Sequence, residues 1–357
     1  MKKYLFITLI FLAGSLAAQV PYNSSLPNGY TKKATVSEQV GLAMVSVNYH
    51  RPAVNGREGK IWGQIVPIGF VNQGFGNGKL SPWRAGANEN TVIEFNDDVK
   101  VEGQPLSKGK YALFIAYDPA ESTVIFSKKS DAWGSFFYDE KEDALRVKVK
   151  PQLIVNSVEN LKFEFMNQTP NAAVIALMWE KLSIPFKVEV DLLKQQYEAL
   201  LAESQNPRGF TWQGLNIAAG WTLQNNYKLE KGLEWATLAT GTNFPGDPTS
   251  FSALSTKASI LLKLGKSAEA VAVSKQAMPF GNPGQLLQLG RQLIAAKNIP
   301  AAVEVLQFNY DKNPNQFVAV VGMARAHSAK GEYAKAAEFA TKALPLAPNE
   351  GRPWYCK

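Results

Sequence analysis

Two sequence periods meet near residue 190, in the stretch Ile184-Pro-Phe-Lys-Val-Glu-Val190 followed by Asp191-Leu-Leu-Lys-Gln-Gln-Tyr-Glu-Ala-Leu-Leu-Ala-Glu-Ser204. Before the junction, apolar and polar residues alternate, which is typical of a β-strand. After it, apolar residues recur at helical spacing, and Asp191 can cap the first turn. The stretch therefore predicts a β domain over residues 30–190 and a helical domain over residues 191–350.

Short segments rich in Val, Ile, Phe and Tyr predict strands throughout the first part. The predicted strands are 42–49, 91–95, 110–117, 123–127, 145–149, 161–165, 173–179 and 184–190. Because no helical pattern lies between them, they favour two antiparallel sheets packed face to face, which is a β-sandwich. The glycine-rich segment 72–78 is predicted to be a flexible surface loop.

Small residues recur at fixed spacing in the second part, which predicts pairs of closely packed helices. Four sets share offsets of 12 and then 7 residues: Gly220, Gly232 and Ala239; Ala258, Ala270 and Ala277; Gly290, Ala302 and Asn309; Ala324, Ala336 and Ala343. Prolines at 245, 283, 314 and 348 are expected to close the units, because proline cannot continue a helix.

These units resemble tetratricopeptide repeats, most clearly the last one, whereas the unit beginning near Gln213 is degenerate. The resemblance implies an α-helical solenoid whose inner face can bind an extended peptide or a protein partner. The alternative is that the helices only pack against the β domain.

The N-terminus has the layout of a signal peptide. Lys2 and Lys3 precede an apolar run, and the small residues Ser15 and Ala17 suit a cleavage site. We expect residues 1–18 to be removed on export, leaving a periplasmic or extracellular protein. No second long apolar stretch follows, so no membrane span is expected after cleavage.

The composition excludes several classes of protein. With 46% hydrophobic and 19% charged residues among 357, the chain is not a disordered one. One cysteine, Cys356, and two histidines, His50 and His327, exclude a disulfide framework and an ordinary zinc cluster, so we expect no metal and no cofactor. The net charge is +8, but the sequence contains no basic run with interleaved aromatic residues. No nucleic-acid partner is therefore expected.

Several strings of the first part resemble the domain of unknown function 2911 family. They include Tyr49-His50-Arg51-Pro52, Trp83-Arg84-Ala85-Gly86-Ala87-Asn88-Glu89 and Trp133-Gly134. The resemblance covers about residues 30–190. That family comprises exported bacterial proteins, often with helical repeats behind the domain, and its activity is not established. The resemblance therefore implies an architecture and assigns no catalytic residue.

A polar ligand-binding surface is predicted around the tryptophan-arginine string. The candidate residues are Arg51, Arg57, Arg84, Asn88, Glu89, Asp131 and Trp133. A guanidinium group such as that of Arg84 can hold a carboxylate or a phosphate with two hydrogen bonds. The alternative is structural, with Arg84 paired to Glu89 or Asp131 and tying the sheets together.

We expect a binding or assembly protein of the bacterial cell envelope rather than an enzyme. In this interpretation the helical groove engages a peptide or protein, and the β domain contributes a small-ligand or docking surface. The alternative is an envelope hydrolase acting on glycans, with Asp131 or Glu89 as acid or base. A cleft holding two carboxylates ~5–10 Å apart favours the hydrolase.

Overall fold

The computed structural model describes residues 31–348. The predicted signal peptide, residues 1–18, and the last two residues of the predicted helical domain lie outside this range. The chain divides into two compact units, with the boundary between Leu192 and Leu193. Between residues 31 and 348, no helix is long and apolar enough to cross a lipid bilayer.

The first unit is rich in strands, and all pairs between its named strands are antiparallel. In chain order the strands are β1 Lys32–Val40, β2 Ala43–Arg51, β3 Val71–Asn72, β4 Leu80–Ser81, β5 Val92–Phe95, β6 Val99–Val101, β7 Gln104–Leu106, β8 Gly109–Ala116, β9 Ser122–Ser127, β10 Asp143–Val149, β11 Gln152–Thr169 and β12 Ala172–Glu189. They form a six-stranded sheet in the order β1-β2-β5-β8-β9-β10, a four-stranded sheet in the order β11-β12-β6-β7, and the hairpin β3-β4.

The two larger sheets share one hydrophobic core. Tyr49 of β2 meets Phe163 of β11 edge to face, with ring centroids 4.9 Å apart. Phe126 of β9 meets Phe186 of β12 in the same way at 5.7 Å. All four rings are buried, and burying a large apolar side chain stabilises a fold by about 1.5–3 kcal/mol. The predicted pair of antiparallel sheets is thus present.

Strand β12 corrects one sequence prediction. The segments 173–179 and 184–190 were predicted as two strands, but they form one strand. Its alternation is interrupted at Glu180, where the backbone has φ of 53° and the register to β11 shifts. The buried Glu180 carboxylate accepts a hydrogen bond from the backbone N–H of Gly59 at 2.5 Å. A bulge held by this bond therefore lets the strand continue past a charged residue.

Strand β1 was not among the predicted strands. It lies at the edge of the six-stranded sheet and pairs along its whole length with β2. Its sequence, Lys-Lys-Ala-Thr-Val-Ser-Glu-Gln-Val, offers small or polar side chains at most positions. An edge strand needs few apolar residues, so its pattern is weak.

The second unit is helical. In chain order the helices are α1 Leu192–Glu203, α2 Trp212–Asn225, α3 Leu229–Ala239, α4 Phe251–Lys263, α5 Ser267–Ala277, α6 Pro283–Ala295, α7 Ile299–Lys312, α8 Phe317–Ala329 and α9 Tyr333–Ala343. After α1 they form four consecutive pairs, and the two helices of each pair are joined by three residues.

All four sets of small residues have the same placement. The first member of each set lies on the first helix of a pair, and the other two lie on the second helix. In the third pair, a Cβ atom on Gly290 would come within 2.5 Å of Leu306, which shows how closely these two helices approach. The degenerate first unit also forms a pair.

The predicted role of the prolines is wrong for Pro283. This residue is the first of α6, and it starts that helix instead of closing the preceding unit. Asn282 caps the helix through two reciprocal hydrogen bonds. The backbone N–H of Gln285 donates to the Asn282 side chain, and the backbone N–H of Asn282 donates to the Gln285 side chain. Proline suits the first helical position because the N–H that it lacks would be unpaired there.

The turns inside the pairs share one hydrogen-bonding pattern. Each contains a residue with positive φ, namely Asn226, Gly265, Lys297 and Gly331. The backbone N–H of the following residue donates to a carbonyl five residues earlier, as in a Schellman motif. Glycine and asparagine tolerate this conformation, whereas lysine adopts it at a cost.

We expect the substitution Lys297→Gly to stabilise the protein by about 1 kcal/mol, because Lys297 has φ of 59° and glycine removes that steric strain. Urea unfolding measures the change. The control is Ala296→Gly in the same turn, where φ is −80° and glycine should destabilise by about 0.5–1 kcal/mol. Equal effects of the two substitutions would contradict the assignment of strain to Lys297.

Candidate functional site

A cleft of about 480 Å³ lies in the strand-rich unit. Loops near β3, the segment between β4 and β5, and the segment between β9 and β10 form its walls. The lining residues are Gln64, Ile65, Pro67, Val71, Gln73, Trp83, Arg84, Gly86, Ala87, Asn88 and Ser135. The cleft therefore gathers residues from separate parts of the sequence.

Trp83 fixes one wall of the cleft. Its backbone exchanges two hydrogen bonds with Ile115 of β8, at 3.0 and 2.8 Å, and its indole N–H donates to the Gly86 carbonyl at 3.2 Å. Beyond it the chain is strained, since Ala85 and Asn88 have φ of 51° and 60°. Backbone strain of this kind persists only where the surrounding structure enforces it.

Arg84 is held at the cleft by a ring contact and a hydrogen bond. Its guanidinium carbon lies 4.5 Å from the centre of the Phe136 ring, and its Nη1 donates to the Asn88 carbonyl at 2.7 Å. A Cβ atom on Gly134 would come within 2.3 Å of Nη1, so only glycine leaves room for the guanidinium there. Burial lowers the pKa of Arg84 from its ordinary value, and an arginine stays protonated at neutral pH nonetheless.

Ser135 and Gln73 form a second polar group in the cleft. The Gln73 side-chain amide donates to the Ser135 hydroxyl at 2.7 Å and to the Ser81 hydroxyl at 3.0 Å. Ser135 is only 1% exposed. Among the described residues, no acceptor is found for the hydroxyl hydrogen of Ser135, which leaves that hydrogen available to a ligand.

Asn88 connects the cleft to a buried histidine. The Asn88 side-chain amide lies 3.2 Å from Nδ1 of His50 and donates to the Thr31 hydroxyl at 2.7 Å. On its other side, His50 Nε2 is in direct contact with Glu89 Oε2. An amide donating to Nδ1 places the histidine proton on Nε2, facing the carboxylate.

The structural alternative for Arg84 is therefore wrong in its partners. Arg84 forms no ion pair with a carboxylate of residues 31–348, because Glu89 contacts His50 and Asp131 pairs with Lys129 at 2.8 Å. The hydrogen bond from Lys129 also lowers the pKa of Asp131.

The other predicted site residues do not line the cleft. The side chain of Arg51 donates to the Leu161 carbonyl at 2.9 Å, and that of Arg57 donates to the carbonyls of residues 53 and 54. Arg51 thus binds the backbone of β11, and Arg57 binds backbone close to it in sequence. Trp133 precedes Gly134 and is 43% exposed, and Asp131 lies on the same segment.

The segment 72–78 lies at the surface, as predicted, but it is hydrogen-bonded to the segment between β9 and β10. Asn77 donates to the carbonyls of Phe136 and Tyr138, at 3.0 and 2.9 Å. A Cβ atom on Gly76 would come within 2.1 Å of the Phe136 carbonyl oxygen. These contacts hold the loop against the segment that carries Ser135.

A buried carboxylate fastens the same segment to the six-stranded sheet. Asp143 accepts hydrogen bonds from the Tyr138 hydroxyl and from Arg146 Nε, each at 2.6 Å. Tyr138 also packs edge to face on Phe114 of β8 at 5.3 Å. Burial raises the pKa of Asp143 despite these hydrogen bonds, and burial together with the Asp143 carboxylate raises that of Tyr138.

The cleft offers binding chemistry more readily than hydrolysis. Its lining in the described chain provides one guanidinium, neutral amides and a hydroxyl, and it includes no Asp or Glu. Glycoside hydrolysis needs two carboxyl groups that flank the bond to be cleaved. The paired carboxylates of the hydrolase interpretation are therefore not found in this cleft.

A second groove, of about 420 Å³, lies in the helical unit. Its lining comes from the first helices of three successive pairs and from the residue after α6: Leu223 of α2; Ser259, Leu262 and Lys263 of α4; Gln292 and Ala295 of α6; and Ala296. Ser259 donates to the Gln292 side chain at 3.2 Å across this surface. The groove thus combines apolar, amide and cationic groups.

Sequence reasoning missed Phe136 as the neighbour of Arg84, Gln73 and Ser135 as residues of the same cleft, and His50 as the partner of Asn88. A signal was present at Gly134, since a glycine beside aromatic residues permits close approach by another chain segment. The glycine-rich segment 72–78 gave a similar signal. Neither identified the partner, because the contacts join residues about 50 to 60 positions apart.

We expect Gly134→Ala to destabilise the protein by about 2–4 kcal/mol, since it adds backbone strain and displaces the Arg84 guanidinium. Gly74→Ala is the matched control. Gly74 also has positive φ, but nothing lies within 4 Å of its added Cβ, so only about 1 kcal/mol of strain is expected. Chemical unfolding compares the two, and similar losses would show that Gly134 is not needed to seat Arg84.

Asp143 is expected to give a pH-dependent stability of defined sign. Its folded pKa is raised, so the native state binds more protons than the unfolded chain between the unfolded pKa of about 4 and the higher folded pKa, and stability falls as pH rises through this window. The stability of the wild type relative to Asp143→Asn should therefore decrease with rising pH. Asp131→Asn, at a carboxylate of lowered pKa, should show the opposite sign.

Comparison with known proteins was made for the sequence and for the structure. No curated protein matches the sequence. Among solved structures, MamA (residues 41 to the end) from Desulfovibrio magneticus RS-1 is 17% identical, with a TM-score of 0.32, over 44% of this chain and 86% of that chain. A tetratricopeptide repeat protein from Parabacteroides merdae ATCC 43184 is 20% identical, with a TM-score of 0.33, over 46% of this chain and 66% of that chain.

The strand-rich unit gives a more specific result. Residues 31–188 match the family model described as "Protein of unknown function (DUF2911)". This range contains the cleft, the strained segment 85–88 and all of the strands except Glu189, the last residue of β12. The strand-rich unit of this chain is therefore similar to the DUF2911 family, as the tryptophan-arginine string predicted.

Proposed function

We propose that this chain is an exported binding and assembly protein of the bacterial cell envelope. Its four helix pairs form a tetratricopeptide-like solenoid that holds a segment of a partner protein. The strand-rich unit, with its two larger sheets arranged as a β-sandwich, adds a site for a small ligand. The signal-like sequence of residues 1–18 supports export.

The groove on the first helices carries this proposal. Consecutive first helices line one groove with a volume of about 420 Å³. Its apolar side chains can bury part of a bound segment, and Lys263 and Gln292 can orient that segment. A concave surface with a few polar groups is typical of a binding site. The second helices lie against each other elsewhere, since Lys275 of α5 pairs with Glu304 of α7 at 2.8 Å.

Site-specific photo-crosslinking in the full-length chain tests this function. We expect a crosslinker at position 259 or 292, inside the groove, to capture a defined protein in living cells. Position 275 or 304, on the second helices, serves as the control. Equal capture from both pairs of positions would contradict the groove as the binding surface.

A charge reversal tests the same groove independently. Lys263 is an exposed groove residue with no ion pair in the described structure, so Lys263→Glu should fold normally. We expect about tenfold weaker binding of the captured partner, which corresponds to about 1.4 kcal/mol. The control Lys266→Glu lies outside the groove lining and should leave the affinity within about twofold.

A further inference from the structure

We propose that the cleft of the strand-rich unit binds a small organic anion. Its carboxylate or phosphate group contacts Arg84 and Ser135, and its uncharged body lies against Trp83 and Ile65. This inference deepens the proposed small-ligand site and rests on it, whereas the groove of the helical unit is independent of it.

The charge of Arg84 favours an anionic ligand. The guanidinium is partly buried and carries five N–H donors, of which one is used, by the Asn88 carbonyl, within the described structure. Residues 31–348 supply no carboxylate in ion-pair contact with it. Burying a charge without a partner is costly, so the site is electrostatically prepared for an anion from outside.

The hydrogen-bond donors of the cleft also favour an anionic ligand. Ser135 is buried at the cleft, its oxygen accepts a hydrogen bond from the Gln73 amide, and its hydroxyl hydrogen has no acceptor in the described structure. A cleft that offers a guanidinium and a hydroxyl hydrogen, with no acidic residue in its described lining, selects acceptors. An ionised carboxylate, like a fully ionised phosphate, accepts hydrogen bonds and donates none.

The fixed position of the Arg84 guanidinium favours specific binding of one anionic group. Phe136 supports one face of the group, and Gly134 permits the close approach. A planar fork fixed in this way can form two parallel hydrogen bonds to one anionic group, which adds geometric specificity. Holding the side chain in place also lowers the entropy that a ligand must remove on binding.

The size and the apolar wall indicate an organic ligand rather than an inorganic ion. The cleft has a volume of about 480 Å³, within the range of about 300–1,000 Å³ that is typical of small-molecule sites. Trp83, Ile65, Pro67 and Val71 provide apolar surface beside Arg84. A ligand of this class therefore has an uncharged, partly apolar body attached to its anionic group.

The test uses the full chain and matched pairs of probes in ligand-observed NMR titrations. One pair is phenylacetate and phenylacetamide, and the other is phenyl phosphate and phenol, with inorganic phosphate as a further probe. We expect at least one anionic probe to bind tenfold or more tightly than its neutral counterpart. The stronger pair tells whether the cleft prefers a carboxylate or a phosphate.

Variants connect the preference to the cleft. Arg84→Gln should remove the preference for the anion, Arg84→Lys should retain part of it, and Ser135→Ala should weaken binding of the anion severalfold. Arg57→Gln makes the same change at an arginine outside the cleft and should have no effect. If Arg84→Gln does not fold in a thermal melt, Arg84→Lys and Ser135→Ala decide the question.

Three results would overturn the inference. Equal binding of the neutral and anionic probes would leave a small-ligand site without anion selectivity. An anion preference that survives in Arg84→Gln would place the charge recognition elsewhere. Absence of binding by every probe would reject both the anion site and the small-ligand role of this unit, while partner capture by the helical groove would still be decided by crosslinking.

Discussion

The site depends on the packing of Trp83, which joins the cleft to the core. Its indole stacks on Trp179 of β12 with an interplanar angle of 16° and meets Trp62 edge to face at 5.8 Å. Its backbone is bonded to β8 of the other large sheet. Because Trp83 contacts elements of both sheets, the next residue, Arg84, starts from a fixed position. The location of the charge is thus a consequence of core packing rather than of a loop conformation.

The segment between β9 and β10 has the complementary role of covering the guanidinium. Tyr138 and Asp143 fasten this segment to the sheet, and Asn77 fastens the hairpin loop to the segment. Gly134 then meets Arg84 without a side chain between them. The cleft is therefore built from loops that are individually irregular but mutually hydrogen-bonded. Such an arrangement keeps a partly desolvated charge in one place, which is a requirement for selective binding.

Much of the fold could be predicted from the sequence because its signals are local. The change of period at residue 190, the spacing of the small residues, the alternation in β2 and the apolar, aromatic-rich runs of β8 and β9 all lie within one element or one helix pair. The errors also have local causes. A bulge at Glu180 made one strand resemble two, and the polar edge strand β1 had no apolar pattern. Pro283 can end a unit or start a helix, and only the capping pair with Asn282 and Gln285 decides which.

The candidate site was predictable only in part, for a physical reason. Arg84 and Asn88 were identified because they share one short strained string, whose glycine and alanine residues allow a close approach. Ser135 and Gln73 act with Arg84 through space, across contacts that no periodicity encodes. The pairing of Arg84 with a carboxylate of the chain was a reasonable expectation, since most buried arginines are paired. In the structure, Glu89 instead contacts His50 and Asp131 pairs with Lys129, so the Arg84 guanidinium has no carboxylate partner among residues 31–348.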